Sequence, residues 1–251
     1  MLKVNRLAVA RDACRRAFEL DPQKRIAVGL SGGKDSLATL KLVSEVWPEV
    51  FCYHLYFVPG LRVLEDHVNA CAARFTKTPV LYLPHPDVSR YLKGGIFQPS
   101  GIGSAQMGKR RVLKMGDIEH TVRETFGLTW IASGLKVLDS IHRRGQLHGK
   151  NGVDERWHRL WPVYDWSDAD VVSFNSHQRF PNPPKFGGGR LSGIGLDGPT
   201  MVDLKARAPD DYERIRAVFP YVDALVVREE MRQKRAQASA IEPSERGGSS
   251  A

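Results

Sequence analysis

A polar hexapeptide, Ser-Gly-Gly-Lys-Asp-Ser at residues 31–36, offers the clearest chemistry in this sequence. Its glycines allow a sharp turn that brings backbone N–H groups close to a ligand, and its serines and lysine add hydroxyl donors and a mobile cation. Its aspartate is too acidic for a simple phosphate cradle and suggests a helix cap or a Mg²⁺ ligand. The alternative is a plain Gly–Ser turn between a strand and a helix. The predicted phosphate-binding residues are Leu30, Ser31, Gly32, Gly33, Asp35 and Ser36, with Lys34 and Asp35 as candidate catalytic residues and Asp35 as a candidate metal ligand.

A second polar group spans residues 133–144, where a small-residue turn precedes a lysine and two arginines. Arginine suits phosphate or sulfate because its planar fork makes two charge-assisted hydrogen bonds at once. A basic helix surface would account for the same residues without chemistry. The predicted contacts to the anionic second half of a ligand are Gly134, Lys136, Ser140, Arg143 and Arg144, and Arg143 is a further candidate catalytic residue.

The surrounding pattern predicts the elements that position these residues. Residues 26–30 are a short apolar run that suits a strand buried on both faces, and apolar residues recur at helical spacing after residue 36. The hexapeptide therefore lies at the positive end of a helix. Further strands predicted at 50–57, 79–83 and 128–133 alternate with helical patterns, which indicates an α/β fold with a doubly wound parallel sheet. Such sheets bind ligands at the carboxyl ends of their strands.

Two segments admit more than one interpretation. Residues 94–108, rich in Gly, Ser and Gln, predict either a loop over the site or an excursion on the surface. Trp161 and Trp166 could stack on a base, but tryptophan at such a junction is more often part of the core. A cationic helix is expected after residue 108, with a solvated face as its plainer interpretation, and its basic residues are Lys109, Arg110, Arg111 and Lys114.

Three segments, in the same order, resemble one known family. The hexapeptide after an apolar strand resembles the pyrophosphate loop (PP-loop) of the adenine nucleotide α-hydrolase superfamily, whose members include ATP pyrophosphatases and phosphoadenosine phosphosulfate (PAPS) reductases. Residues 132–144 resemble the Gly-x-Arg-x-x-(Glu/Asp)-Ser-x-x-Arg segment of PAPS reductases, with Lys136 in place of its arginine. Residues 161–171 are similar to that family's Pro-Ile/Leu-x-Asp-Trp-Ser/Thr-x-x-Asp-Val segment. The resemblance covers roughly residues 24–180 and implies a Rossmann-like nucleotide-binding enzyme with a helical C-terminal extension.

The sequence departs from the reductases on its C-terminal side. Their thiol nucleophile would be expected there in a Glu-Cys-Gly-x-His segment, but the last cysteine of this chain is Cys71. Reductive cleavage of a sulfur–oxygen bond by an enzyme thiol needs an accessible thiolate. Relatives with an iron–sulfur centre carry cysteines near a Gly-rich segment, and residues 187–199 contain none. We therefore expect no iron–sulfur cluster.

Two enzymatic hypotheses and one of a different class follow. The enzyme cleaves ATP between its α and β phosphates and adenylylates an acceptor, with Mg²⁺ expected as a cofactor, or it acts on PAPS. The missing thiol favours cleavage of ATP, and the motif pattern favours action on PAPS. In the third hypothesis the chain is a subunit of a nucleic-acid modification complex that binds nucleotide only as a structural ligand. Its charge permits this, but no interleaved aromatic and basic RNA-binding motif is evident.

Composition narrows the class of protein further. The 251 residues carry a formal net charge of +9, which attracts anionic partners unless the charge is spread evenly over the surface. Cys14, Cys52 and Cys71 lack the spacing of a disulfide framework or a four-thiolate metal site. No apolar run reaches membrane-span length and no signal-peptide core is evident, which predicts a cytoplasmic protein. The expected partners are an adenine nucleotide, a nucleic-acid or small-molecule acceptor, and a second copy of the chain in a homo-oligomer.

The chain divides into four predicted regions. An N-terminal helix occupies residues 1–21 and the nucleotide-binding α/β domain occupies 22–180. A Gly-rich loop and C-terminal helices follow at 181–235. Residues 236–251 turn to Ala, Ser, Gly and charged residues with no apolar period, which predicts a disordered tail.

Overall fold

A six-stranded sheet lies at the centre of the computed structural model, which describes residues 4–100, 111–181, 183–187 and 195–241. The strand order is β3-β2-β1-β4-β6-β5, and every neighbouring pair is parallel except β5 with β6. The α/β fold with a mainly parallel sheet is thus confirmed. The strands are β1 Arg25–Gly29, β2 Glu49–Tyr56, β3 Leu81–Pro84, β4 Trp130–Ala132, β5 Val153–Asp154 and β6 Arg159–Leu160.

Helices cover both faces of the sheet, as the doubly wound pattern requires. Alternate side chains of β1 face opposite ways, so that Ile26 and Val28 belong to one core cluster and Ala27 to another. The strand is buried on both faces, as its apolar run predicts. The described helices are α1 Val4–Leu20, α2 Lys34–Ser44, α3 Arg62–Ala72, α4 Pro86–Lys93, α5 Met115–Phe126, α6 Ile141–Leu147, α7 Asp168–Ser176, α8 Gly198–Arg207, α9 Pro209–Val218 and α10 Asp223–Ile241, with a 3₁₀ turn at Pro220–Val222.

A separate core joins the C-terminal helices to the turn that follows β2. Met201 of α8 and Tyr212 of α9 are buried in one cluster with Val58 and Leu61. The C-terminal helices are therefore packed beside the carboxyl edge of the sheet, where ligands bind in open α/β folds.

Asp211 of α9 ties this C-terminal unit to α3. Its carboxylate is buried and accepts hydrogen bonds from the backbone N–H groups of Arg62 and Val63, at 3.1 and 2.9 Å. It therefore caps a helix from a distant part of the chain, satisfying donors that the helix itself leaves unpaired.

Replacing Asp211 with Ala is expected to lower the free energy of unfolding by about 2 kcal/mol, because two buried N–H groups lose their acceptor. The matched control is Asp210→Ala, which changes an exposed neighbour on the same helix and should leave stability nearly unchanged. Urea denaturation of the three proteins measures the difference. Equal midpoints for the two variants would contradict the capping role.

Several boundaries differ from the sequence prediction. Helix α5 begins at Met115, so Arg111 and Lys114 precede it, while Lys109 and Arg110 lie outside the described residues. The short strands β5 and β6 were not predicted. In the Gly-, Ser- and Gln-rich segment 94–108, residues 101–108 also lie outside the described part. Gln98, in the same segment, donates to the carbonyl of Val218 at 2.9 Å.

The C-terminal helix also differs from its prediction. Helix α10 continues to Ile241, beyond residue 236 where a disordered tail was expected, and residues 242–251 lie outside the description. No helix in the described ranges is both long and apolar enough to cross a membrane.

Candidate functional site

The predicted phosphate loop connects β1 to α2 as a compact turn. Gly33 is the N-cap residue of α2, and Gly32 has a φ of 77°, a conformation that side chains other than glycine rarely adopt. The Ser31 hydroxyl donates to Ser36 Oγ at 3.1 Å, and the Ser36 hydroxyl donates to the Gly33 carbonyl at 2.8 Å. These bonds hold the loop closed at the start of the helix, where the helix dipole favours an anion.

Gly134 brings the second predicted segment against the first. It follows β4, which pairs in parallel with β1. A Cβ atom at Gly134 would lie 2.7 Å from the carbonyl carbon of Asp35 and 2.9 Å from the backbone nitrogen of Ser36. The close approach therefore requires glycine at this position. The segment after β4 and the loop after β1 form one site at the carboxyl edge of the sheet. This is the topological switch point, because β2 and β3 lie on one side of β1 and β4 lies on the other.

Lys136 lies inside this site but does not face an open anion-binding surface. Its side chain is 1% exposed, and its ammonium contacts Asp35 Oδ1 at 2.9 Å and the carboxylate of Asp168. Burial alone would lower the pKa of Lys136, but hydrogen bonds to Asp168 and Asp35 outweigh it and hold that pKa above its ordinary value. Its charge is thus matched within the protein, where the sequence pattern predicted a contact to ligand.

Lys34 and Asp35 belong to the same ionic network. Lys34 Nζ lies 3.1 Å from Asp35 Oδ2 and 3.2 Å from Asp168 Oδ1. The lysine hydrogen bonds, first of all that of Lys136, hold the pKa of Asp168 below its ordinary value. Asp168 begins α7 directly after Ser167, whose hydroxyl accepts from the Asp170 N–H as the predicted N-cap. The network therefore joins α2, the turn after β4 and α7.

Two cavities open beside the loop. One has a volume of about 310 Å³ and an apolar lining that includes Phe57, Val58 and Leu61. The other, of about 430 Å³, is lined by loop residues, by Gly134 and by charged side chains. Ser31, Leu55 and His85 line both, so the loop lies where the cavities meet.

Charged side chains from α5 and β6 line the larger cavity. The buried carboxylate of Glu119 accepts from Arg159 Nε at 3.0 Å and from Arg159 Nη2 at 2.6 Å. Burial raises the pKa of Tyr53, which also lines this cavity, so its hydroxyl stays protonated at neutral pH. Sequence analysis missed Arg159 because β6 is too short to show a strand pattern. It missed Glu119 because nothing in the pattern of α5 sets that residue apart.

The structure separates the predicted arginine pair. Arg143 lines the larger cavity and contacts the Asp139 carboxylate, whereas Arg144 is exposed and is not part of the lining. Ser140 is the N-cap of α6, and its hydroxyl accepts from the Arg143 N–H at 3.1 Å. Ser140 thus positions Arg143.

Arg143→Ala is expected to weaken binding of ATP or PAPS about tenfold to a hundredfold, because a charge-assisted hydrogen bond to a distal phosphate or sulfate is lost. Arg144→Ala is the matched control and should change affinity by no more than about twofold, since it removes the same charge outside the cavity. Calorimetric titration with each nucleotide and with AMP measures both. Equal losses for the two variants that vanish at high salt would exclude Arg143 from a specific contact.

Two buried histidines contact backbone carbonyl groups of the loop. The sequence analysis missed both. His54 Nδ1 lies 2.8 Å from the Leu30 carbonyl oxygen, and His67 Nε2 lies 3.0 Å from the Gly32 carbonyl oxygen. Nothing in the local pattern marks them, because each occurs within an ordinary strand or helix sequence.

Solved structures of known proteins are similar to this chain at low sequence identity. No protein-family model and no curated protein matches the chain. The phosphoadenylyl-sulfate (PAPS) reductase from Candida auris, solved as a phosphate complex, is 14% identical with a TM-score of 0.41, and the alignment covers 68% of this chain and 80% of that one. The U34-tRNA thiolase NcsA from Methanococcus maripaludis, solved with its [4Fe-4S] cluster, is 14% identical with a TM-score of 0.40, covering 87% of this chain and 80% of that one. The first is a member of the class that the sequence motifs resemble, but likeness at this level says nothing about the reaction.

The cofactor expectation needs a correction. The cysteine pattern was taken to exclude an iron–sulfur cluster, and that exclusion is wrong because NcsA, a protein of similar structure, carries a [4Fe-4S] cluster. Within the described part of this chain, no group of three or more His, Cys, Asp or Glu side chains is arranged to hold a metal ion. No chemical step below involves such a cluster.

Proposed function

We propose that this protein is an enzyme of the PP-loop class that binds an adenine nucleotide and acts at its phosphate groups. The observation that carries the proposal is the location of loop 31–36. It lies at the N-terminus of α2, at the carboxyl ends of β1 and β4, and between two cavities. A loop with free backbone donors at a helix N-terminus suits phosphate, and the flanking cavities suit the groups on either side of it.

The smaller cavity suits the nucleobase. Its apolar lining offers Phe57 and Leu61 to a flat ring, and Ser31 of the phosphate loop lines the same cavity. The larger cavity suits the acceptor and the departing anionic group, since Arg143 lines it beside Gly134. The phosphates would then be bound by the N–H groups and hydroxyls of residues 31–36.

The burial of the cysteines favours ATP over PAPS as the nucleotide. All three thiols are buried, and burial is the main cause that raises the pKa of Cys14 and Cys52 to about 12 and that of Cys71 to about 11. None lines either cavity. A thiolate nucleophile for sulfur–oxygen cleavage is therefore not provided by this chain. PAPS is kept as the second candidate because residues 132–144 resemble the reductase segment.

The proposed reaction is adenylyl transfer. A lone pair on the acceptor forms a bond to the α-phosphorus of ATP, the bond from that phosphorus to the α–β bridging oxygen breaks, and the electron pair leaves with pyrophosphate. Arg143, which lines the larger cavity, supplies positive charge near the phosphates and stabilises the charge that develops on the leaving group. Lys34 is paired with Asp35 and Asp168 and lines neither cavity. Asp35 anchors the loop through its ion pair with Lys136.

Calorimetric titration of the purified chain with ATP, PAPS, AMP and GTP tests the proposal. We expect ATP to bind more tightly than AMP and GTP, because the loop holds the additional phosphates and the smaller cavity selects the base. Release of pyrophosphate from bound ATP, with water as the acceptor, provides the readout of turnover. Failure of both ATP and PAPS to bind would overturn the proposed function.

Changing Cys14, Cys52 and Cys71 together to Ala is expected to leave ATP affinity and pyrophosphate release within about threefold of wild type, because no thiol takes part in adenylyl transfer. Thermal unfolding of the same variant separates a packing defect from a chemical one. Loss of turnover in a folded protein that still binds ATP would restore a thiol-dependent mechanism.

A further inference from the structure

His54 of β2 and His67 of α3 are buried, and each contacts a backbone carbonyl group at the phosphate loop. A carbonyl oxygen only accepts, so the ring nitrogen that faces it must carry the hydrogen: Nδ1 in His54 and Nε2 in His67. Burial is the largest influence on the pKa of His54 and lowers it, which keeps that ring neutral at neutral pH. Each histidine therefore donates one hydrogen bond to the loop, and the two bonds come from different elements.

These two bonds determine the direction of two loop amides. In a planar trans peptide the carbonyl and the N–H point to opposite sides. Holding the Leu30 carbonyl towards His54 turns the Ser31 N–H the other way. Holding the Gly32 carbonyl towards His67 does the same for the Gly33 N–H, which donates to Ser31 Oγ at 3.3 Å. Within the described residues the Ser31 N–H has no hydrogen-bond acceptor, and Ser31 lines both cavities.

Gly32 and His67 also fit each other sterically. A Cβ atom at Gly32 would lie 2.8 Å from His67 Cδ2, so the ring occupies the space that a side chain would need. Cys71 Sγ lies 3.8 Å from Nε2 of the same ring. The imidazole therefore packs against both Gly32 and Cys71, and its hydrogen bond to the loop has little freedom to change direction.

We propose that His54 and His67 are positioning residues of the phosphate loop: His54 orients the Ser31 N–H towards the nucleotide, and His67 holds the Gly33 N–H on Ser31 Oγ and so keeps the turn in its phosphate-binding shape. The inference rests on the proposed function, since it concerns how the same loop recognises phosphate. It predicts that His67 controls affinity for phosphates and not affinity for the nucleoside, whereas His54, which also lines the smaller cavity, affects phosphate affinity more than nucleoside affinity.

The amide side chains offer conservative variants that keep the donor. The amide nitrogen of Gln can replace His Nε2 and that of Asn can replace His Nδ1, so His67→Gln and His54→Asn retain a donor, whereas His67→Phe and His54→Phe remove it. His158→Phe is the matched control, because His158 packs edge-on against Trp130 and makes no contact with the loop. Calorimetry with ATP and with adenosine, and thermal unfolding, are measured on each protein.

We expect each Phe variant to weaken ATP binding about fivefold to tenfold, as the loss of one oriented hydrogen bond implies. Adenosine binding should stay unchanged in His67→Phe and should change less than ATP binding in His54→Phe, because His54 also lines the smaller cavity. The Gln and Asn variants should remain within about threefold of wild type, and His158→Phe should not differ from it. If a Phe variant does not fold, His→Leu at the same position replaces it. Unchanged ATP affinity in the Phe variants, or equal losses for ATP and adenosine, would overturn the inference. Failure of wild type itself to bind ATP and PAPS would instead overturn the proposed function.

Discussion

Gly33→Val is expected to reduce ATP affinity at least about a hundredfold, or about 2.7 kcal/mol, because a branched side chain at the loop would hold the phosphate away from its N–H groups. The backbone itself tolerates the change. Gly33 has φ −79° and ψ 162°, an extended conformation that valine adopts readily. Losing a glycine N-cap should cost at most about 1 kcal/mol. The fold should therefore persist while the site fails.

Calorimetry with ATP and a thermal melt separate these two effects. Gly116→Val provides the control, because Gly116 lies near the N-terminus of α5 and a Cβ atom there would meet nothing within 4 Å. We expect that control to bind ATP as wild type does. A folded Gly33→Val protein with unchanged affinity for every adenine nucleotide would show that residues 31–36 are not the phosphate site.

Lys136→Met is expected to lower the free energy of unfolding by about 3 kcal/mol, because it leaves the Asp35 carboxylate without the buried cation beside it. The control is Lys41→Met, which removes an i,i+4 pair with Glu45 and should cost about 0.5 kcal/mol. Adding Asp35→Asn to Lys136→Met should recover part of the loss, since the carboxylate that lost the Lys136 cation and keeps only Lys34 beside it is then neutral. Urea denaturation measures all four proteins. Similar costs for the two lysine variants would show that the ionic network contributes little.

The pH dependence of this difference has a defined sign. Asp168 has a lowered pKa, so its contribution is present above the ordinary aspartate pKa and is lost as the pH falls through the lowered value. Lys136 has a raised pKa, so its contribution is present below the ordinary lysine pKa and is lost as the pH rises through the raised value. The stability gap between wild type and Lys136→Met should be largest between about pH 4 and pH 10 and shrink on both sides. A gap that does not change at acidic pH would contradict the pairing with Asp168.

Features encoded within short stretches were predictable from the sequence alone. The apolar run at 26–30 and the helical period after it predict a strand, a turn and a helix because burial and hydrogen bonding within each element depend on near neighbours. The N-cap at Ser167 is equally local, since its hydroxyl contacts an N–H three residues further on. The strand and helix alternation then implies a parallel sheet, and a parallel sheet implies a site at its carboxyl edge.

Only the tertiary structure determined which charged residues face the site. Arg143 and Arg144 are equivalent as sequence neighbours, but the direction of each side chain depends on how the short helix α6 packs, and only Arg143 lines the cavity. Lys136 resembles an anion-binding residue until α2 and α7 place Asp35 and Asp168 beside it. Such pairings join residues far apart in the chain, and their energies depend on burial and distance. No periodicity within one element carries that information, which is why these contacts and those of His54, His67 and Asp211 appeared only once the elements were packed together.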